Sequence, residues 1–208
     1  MSSLLDFKTA VYTGSLIAVP VIFIIAFALH PNLLDMKPVK KADAWVKEFR
    51  HNKKLHMLHF LVLGNTLLII NIAVNMMNTL KEDYEIYGMI GGTLGIIGAV
   101  ALAVDKGALC LVPSAFDTLK EEEFMKLMPG LQTLLDGKGF MWAVKLLILL
   151  PIGFIILAAG LLLSGSVPAW QGVTLIIGML FMINPDIDLL SLIGSCFMMI
   201  SFGGMVFF

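Results

Sequence analysis

Residues 55–78 read LHMLHFLVLGNTLLIINIAVNMMN, and after five intervening residues 84–104 read YEIYGMIGGTLGIIGAVALAV. A hydrocarbon layer about 30 Å thick is crossed by roughly 20 apolar residues in helical form. Both stretches are long enough, and apart from His56 and His59 they contain one acidic or basic side chain, Glu85. In lipid a helix satisfies its own backbone groups, whereas an isolated strand or loop leaves them unpaired. The two stretches therefore predict a pair of antiparallel membrane-crossing helices joined by a short turn.

The same reading, carried outward, gives further spans at 12–29, 140–163, 168–183 and 187–207. The last two form one apolar run broken at Asn184-Pro185-Asp186-Ile187-Asp188. Asn184 is expected to cap the final helix, with Pro185 at its first position. The segment 168–183 is short, about 24 Å at 1.5 Å per residue, so a half-membrane element is the alternative to a sixth span. The expected fold is an all-α integral membrane protein: one polytopic domain, a bundle of six transmembrane helices with amphipathic cytoplasmic segments. Composition agrees, with 59% apolar and 14% charged residues. All six Trp and Tyr residues also fall at the ends of apolar segments: Tyr12, Trp45, Tyr84, Tyr87, Trp142 and Trp170. Amphipathic rings collect at the water–lipid boundary, where the ring is buried and the polar edge stays wet.

Basic residues set the direction. Lys37, Lys40, Lys41, Lys47, Arg50, Lys53 and Lys54 lie in the loop 30–54 or at its edge. Lys106, Lys120, Lys126, Lys138 and Lys145 lie in or beside the loop 105–139, against Lys8 and Lys81 on the opposite side. This asymmetry predicts both large loops in the cytoplasm and both termini outside, in a cell (inner) membrane. No cleavable signal peptide is expected, because the first residues lack a positive n-region. The lipid bilayer is the expected surrounding, with a homo-oligomer or a hetero-complex of membrane subunits as the assembly. Nucleic acid is not expected as a partner, and the net charge of −1 says nothing about partners, because the charge is divided between the two sides of the membrane. Cys110 and Cys196 show neither disulfide nor metal spacing.

Ala42, Trp45, Val46 and Phe49 follow i, i+3, i+4, i+7 spacing. A basic amphipathic helix in the headgroup layer and a segment packed on its own bundle both fit. In the second loop, Phe116, Leu119, Phe124, Leu127 and Met128 form an apolar stripe, with Ser114 and Asp117 in a capping-box-like arrangement. A cap lying on the end of the bundle is expected there.

Three polar sets within the spans could carry function. Asn71, Asn75 and Asn78, with Asn65 partly round the helix, make a polar face that must look into the protein. Gly88, Gly91, Gly92, Gly95 and Gly98 give the next helix a small-residue face for close approach. A tight hairpin of these two helices, held by amide hydrogen bonds, is one reading. A polar path for a solute or ion, joined by Lys145 inside the fourth span, is the other. Third, His30, His59, Asp105 and Asp186 fall at the same end of their helices and would converge if the bundle closes. Such a His/carboxylate set suits a divalent zinc, manganese or iron ion, and His30 with His59 could instead hold a haem. His51 and His56 read as interfacial. No phosphate loop, Gly-x-Ser-x-Gly elbow or His-Glu-x-x-His motif is present, and catalytic residues cannot be assigned.

The function expected from this pattern is a transport or channel-like protein, or a membrane subunit of a transport or energy-converting complex. A membrane-embedded metal or haem enzyme, with its site at the cytoplasmic boundary, is the second expectation. A structural subunit is the third.

Overall fold

The computed structural model describes residues 2–36 and 40–207, the first four by backbone alone. Lys37, counted above, lies outside the described residues. The chain is helical, with elements α1 (Ser2–Ala28), α2 (Ala42–Phe49), α3 (Lys53–Thr79), α4 (Glu85–Lys106), α5 (Val112–Ala115), α6 (Glu121–Met125), α7 (Met128–Leu135), α8 (Leu149–Leu163), α9 (Ala169–Phe181) and α10 (Asp188–Phe207). Among the described residues five helical runs are long and apolar enough to cross a membrane: Asp6–Ala28, Lys53–Thr79, Glu82–Thr118, Gly139–Leu163 and Asp188–Phe207. The segment expected as a sixth span, 168–183, forms only the 13-residue α9. At 1.5 Å per residue it is about 20 Å long, less than a full hydrocarbon layer.

Six helices pack in chain order, α1 on α3, α3 on α4, α4 on α8, α8 on α9, α9 on α10, and α10 back onto α1. Sequential neighbours are antiparallel, as Gly91 beside Leu157 and Gly98 beside Leu150 show for α4 and α8. Asn65 meets Val19 while Asn71 meets Ser15, and His30 at the end of α1 meets Asp188 at the start of α10. The interior is filled by Leu16, Phe23, Ile69, Phe154, Leu157, Leu175, Met198 and Phe202, each at most 3% exposed. The outside stays apolar: Leu67 is 71% and Ile200 56% exposed.

The seams differ from the expected hairpin. The α3 amides reach α1, not α4. Asn65 Nδ2 donates to the Val19 carbonyl at 3.1 Å, and Asn71 Nδ2 donates to Ser15 Oγ at 3.0 Å. Asn75 Nδ2 donates to the Asn71 carbonyl and side-chain oxygen, while Asn78 is exposed. The side of α3 facing α4 is apolar, with Met77 and Leu80 against Gly88 and the Met77 side chain against Gly92. At 100° per residue Met77 lies about a third of a turn round from Asn71, so one helix serves two neighbours with two chemistries.

The other glycines chiefly serve α8. A Cβ on Gly91 would sit 2.8 Å from the Gly153 carbonyl oxygen and the Leu157 nitrogen, and one on Gly98 would strike the Leu150 backbone. Gly153 itself is pressed against the Gly91 and Gly95 backbones. Only a residue without Cβ lets these helices approach so closely.

A second apolar cluster, Ala42, Trp45, Phe49, Leu55, Cys110, Phe124 and Leu131, forms a cap over one end. The apolar face of α2 thus packs on its own bundle. Gln132 from α7 fastens it, accepting from Ala42 N at 2.9 Å and donating to the Lys40 carbonyl. Arg50 pairs with Glu121 and stacks over Phe124, and His56 Nε2 lies 2.9 Å from Asp117. Asp117 therefore bonds to α3, and Ser114 Oγ donates to the Leu111 carbonyl, so no capping box forms.

Two boundaries also move. Asn184–Ile187 forms a turn, closed by Ile187 N on the Asn184 carbonyl, and α10 begins at Asp188. The helix expected to stop at 104 continues through a π-helical turn at Gly107–Leu111 into α5. Lys145 is exposed on the 3-10 stretch Gly139–Ile148 and does not join the asparagine face.

Candidate functional site: a cavity at the capped end

The helix ends that gather under the cap do not close on one another. They surround a cavity of about 240 Å³ to which all six bundle helices contribute lining residues. On α3 the lining extends from Leu58 to Ile69, about 16 Å along the helix axis. Its deep half is apolar, lined by Val62, Phe154, Met198 and Phe202 among others. Its outer half is polar, and α2 contributes Trp45, Glu48 and Phe49. The rim includes the exposed residues Asp35, Pro185 and Asp186.

His30, His59, Asp105 and Asp186 all line this one cavity. Their pairing is more specific than the sequence suggested. His30 Nδ1 lies 2.7 Å from Asp188 Oδ2, an ion-pair distance without hydrogen-bond alignment. Asp105 Oδ2 lies 2.8 Å from Lys106 Nζ. His59 is 8% exposed, and neither of its ring nitrogens has a hydrogen-bond partner. Ser191, 1% exposed on α10, lines the same cavity with an unpartnered Oγ. Buried polar atoms are nearly always paired, and leaving one unpaired costs about 1–3 kcal/mol. Two such side chains on one cavity wall are groups ready to bond to something in the cavity.

Charge is unevenly compensated here. The Glu48 carboxyl is held above the ordinary range by burial first, with the Asp188 and Asp35 charges adding to it against Asn32 and His30. Its Oε2 is buried without a partner. Asp186 is also raised, by burial and then by the Asp105 charge, against Lys106 and Lys40. Burial is the first cause at both carboxyls, and neighbouring carboxylates add to it.

The set does not match a metal centre. Among the described residues no three His, Cys, Asp or Glu side chains are grouped to hold an ion. A haem between His30 and His59 fits no better. The two rings meet edge to face at 6.0 Å, and Phe49 lies 6.3 Å from one and 5.3 Å from the other. That is a packed ring cluster, not a slot for a macrocycle. None of Asn65, Asn71, Asn75, Asn78 and Lys145 lines the cavity.

Sequence reasoning did not single out Glu48, Lys106 and Ser191. Ser191 follows Asp188 by three residues, one helical turn on the same face, which is a readable signal once α10 is known to start at Asp188. Lys106 ends the helical stretch that turns π-helical at Gly107, a distortion often found at functional sites. Comparison with protein-family models, curated proteins and solved structures gives no match.

Proposed function

We propose that the chain is a membrane transport protein that takes up a small solute into this cavity from the capped end. The observation that carries the reading is a cavity walled by all six helices with the unpartnered His59 and Ser191 on its lining. Binding pockets combine a mostly apolar wall with a few convergent polar groups, and sites between bundle helices are common. The short α9 and the π turn at Gly107–Leu111 lie on two of the walls, where helix irregularity gives a bundle room to rearrange.

In this reading the exposed apolar outer faces meet lipid, and the basic loops put the capped end in the cytoplasm. The apolar outside also offers surface to a second copy or another membrane subunit. A cysteine at Glu82 should then react with an impermeant thiol reagent from outside intact cells, while one at Glu122 should not. The reverse pattern would invert the orientation.

Transport is tested without knowing the solute. In a background where Cys110 and Cys196 are Ala, Ser191→Cys is reconstituted in vesicles and treated with an impermeant thiol reagent on each side in turn. A carrier exposes its site alternately, so labelling from both sides is expected. Labelling from the capped side alone makes the protein a binding module, not a carrier. Labelling from neither side makes the cavity a sealed packing feature and the protein a structural subunit.

A further inference from the structure

The lining of the cavity identifies the class of solute. Besides Asp35 at the rim, four carboxylic side chains, Glu48, Asp105, Asp186 and Asp188, face one lysine and two histidines. The lysine is taken by Asp105, and His30 is taken by Asp188. Glu48 and Asp186 are then the carboxylates without a cation of their own on this wall, and Glu48 Oε2 is buried and unpaired. The aromatic rings of Trp45 and Phe49 stack at 4.6 Å beside Glu48, and ring faces attract cations. Beyond this layer the lining turns apolar, with Phe23, Phe154 and Phe202.

We infer that the solute is an amphiphilic organic cation, its ammonium-type head held by the carboxylates of Glu48 and Asp186 and its apolar tail reaching Phe154 and Phe202. This rests on the reading of the cavity as a solute site. His59 and Ser191 supply a hydrogen-bonding ring and hydroxyl between head and tail, a place for a polar substituent. An anion would meet the acidic rim, which disfavours it at encounter. A bare inorganic cation would leave the apolar floor uncovered and find no three-ligand group. Burial has already pushed the Glu48 and Asp186 carboxyls up, and a bound positive charge relieves that strain by favouring their ionised forms.

The test uses the full chain in detergent, with radiolabelled benzyltrimethylammonium as probe. Competitors are its uncharged isostere neopentylbenzene, the anion phenylacetate, and Mg²⁺. Saturable binding of the cation, displaced by neither isostere nor anion, is expected. Glu48→Gln and Asp186→Asn should each weaken it by about tenfold, as loss of one close charge–charge attraction near a protein surface does. Asp186 is exposed, so its variant keeps the test alive if Glu48→Gln fails to fold. Equal binding of the isostere or of phenylacetate would overturn the inference, as would tighter binding of Mg²⁺ or no saturable binding of the probe. If Ser191→Cys still labels in any of those cases, the solute-site reading stands and only the cation is wrong. If binding and labelling both fail, the two fall together.

Discussion

Along α4 the bundle shows two opposite solutions within a few turns. From Gly91 to Gly98 the helix lies so close to α8 that an added Cβ would collide with backbone at both ends of the stretch. Seven residues beyond Gly98, Asp105 and Lys106 border an open cavity. Glycine supplies no side chain to hold helices apart, so the seam is set by backbone contact. At the capped end the charged side chains and the π turn prevent that contact, and α2 is laid over the gap. The same helix thus borders a closed seam at its glycines and a cavity at its charged end.

The comparison is broken most easily at the seam. Gly153→Ala and Gly98→Ala place a methyl against opposing backbone, which no rotamer change relieves. Each should cost about 1–3 kcal/mol, the usual penalty for overpacking, read from thermal or denaturant unfolding in detergent. Gly95→Ala is the control. Its methyl would meet the Phe154 ring at 3.4 Å and the Ala73 Cβ at 3.9 Å, and Ala gains about 0.5–1 kcal/mol over Gly inside a helix. Equal losses at positions 95, 98 and 153 would mean that glycine acts there through something other than closeness.

The α1–α3 seam should be less costly to disturb. Asn71 donates to Ser15 Oγ and accepts from Asn75, so Asn71→Leu removes two bonds. Hydrogen bonds between membrane helices average about 0.6 kcal/mol, and the loss should be about 1 kcal/mol, below that of Gly153→Ala. A larger loss than at the glycine seam would make the amides, not backbone contact, the main tie of the bundle.

Much of this was legible before the structure. Apolar runs gave the helices, and residue position within each run brought His30, His59, Asp105 and Asp186 to one end. What failed was direction around the helix. Spacing shows that Asn65, Asn71 and Asn75 share a polar face, but α3 has neighbours on two sides, and the pattern does not say which one takes the amides. Glu48 was hidden differently. It sits on a short helix whose apolar face explained the segment, and only the docking of that helix over the bundle brings its carboxyl to the cavity. Ser191 was hidden because spacing along the helix does not say which face of α10 meets the cavity.

The acidic rim gives a smaller effect with a definite sign. The folded-state value of Glu48 is raised above that of the unfolded chain, so the fold favours its protonated form. The contribution is fully present below the ordinary carboxyl value of about 4 and is lost as pH rises through the raised folded value. His30 on α1, Asp35 and Asn32 on the following turn, and Asp188 on α10 are the groups that act on it. Glu48→Gln has no proton to lose, so its melting temperature should fall less than wild type over that interval. Identical pH profiles would show that Glu48 is compensated in the folded protein and would weaken the case for a rim short of positive charge.

The smallest effect is expected at the two serines of α10, and it separates access from packing directly. Ser201 Oγ donates to the Gln171 carbonyl at 2.8 Å and ties α10 to α9. Ser191 Oγ, equally buried, donates to no protein group. Ser201→Ala should therefore cost about 0.6 kcal/mol. Ser191→Ala should cost nothing measurable, because it deletes a polar atom and strands no partner. The same Ser191→Ala should nonetheless change solute binding if the hydroxyl serves the cavity. A stability loss at Ser191 matching that at Ser201 would show that its hydroxyl is a packing bond, and the open half of the bundle would then be closed like the rest.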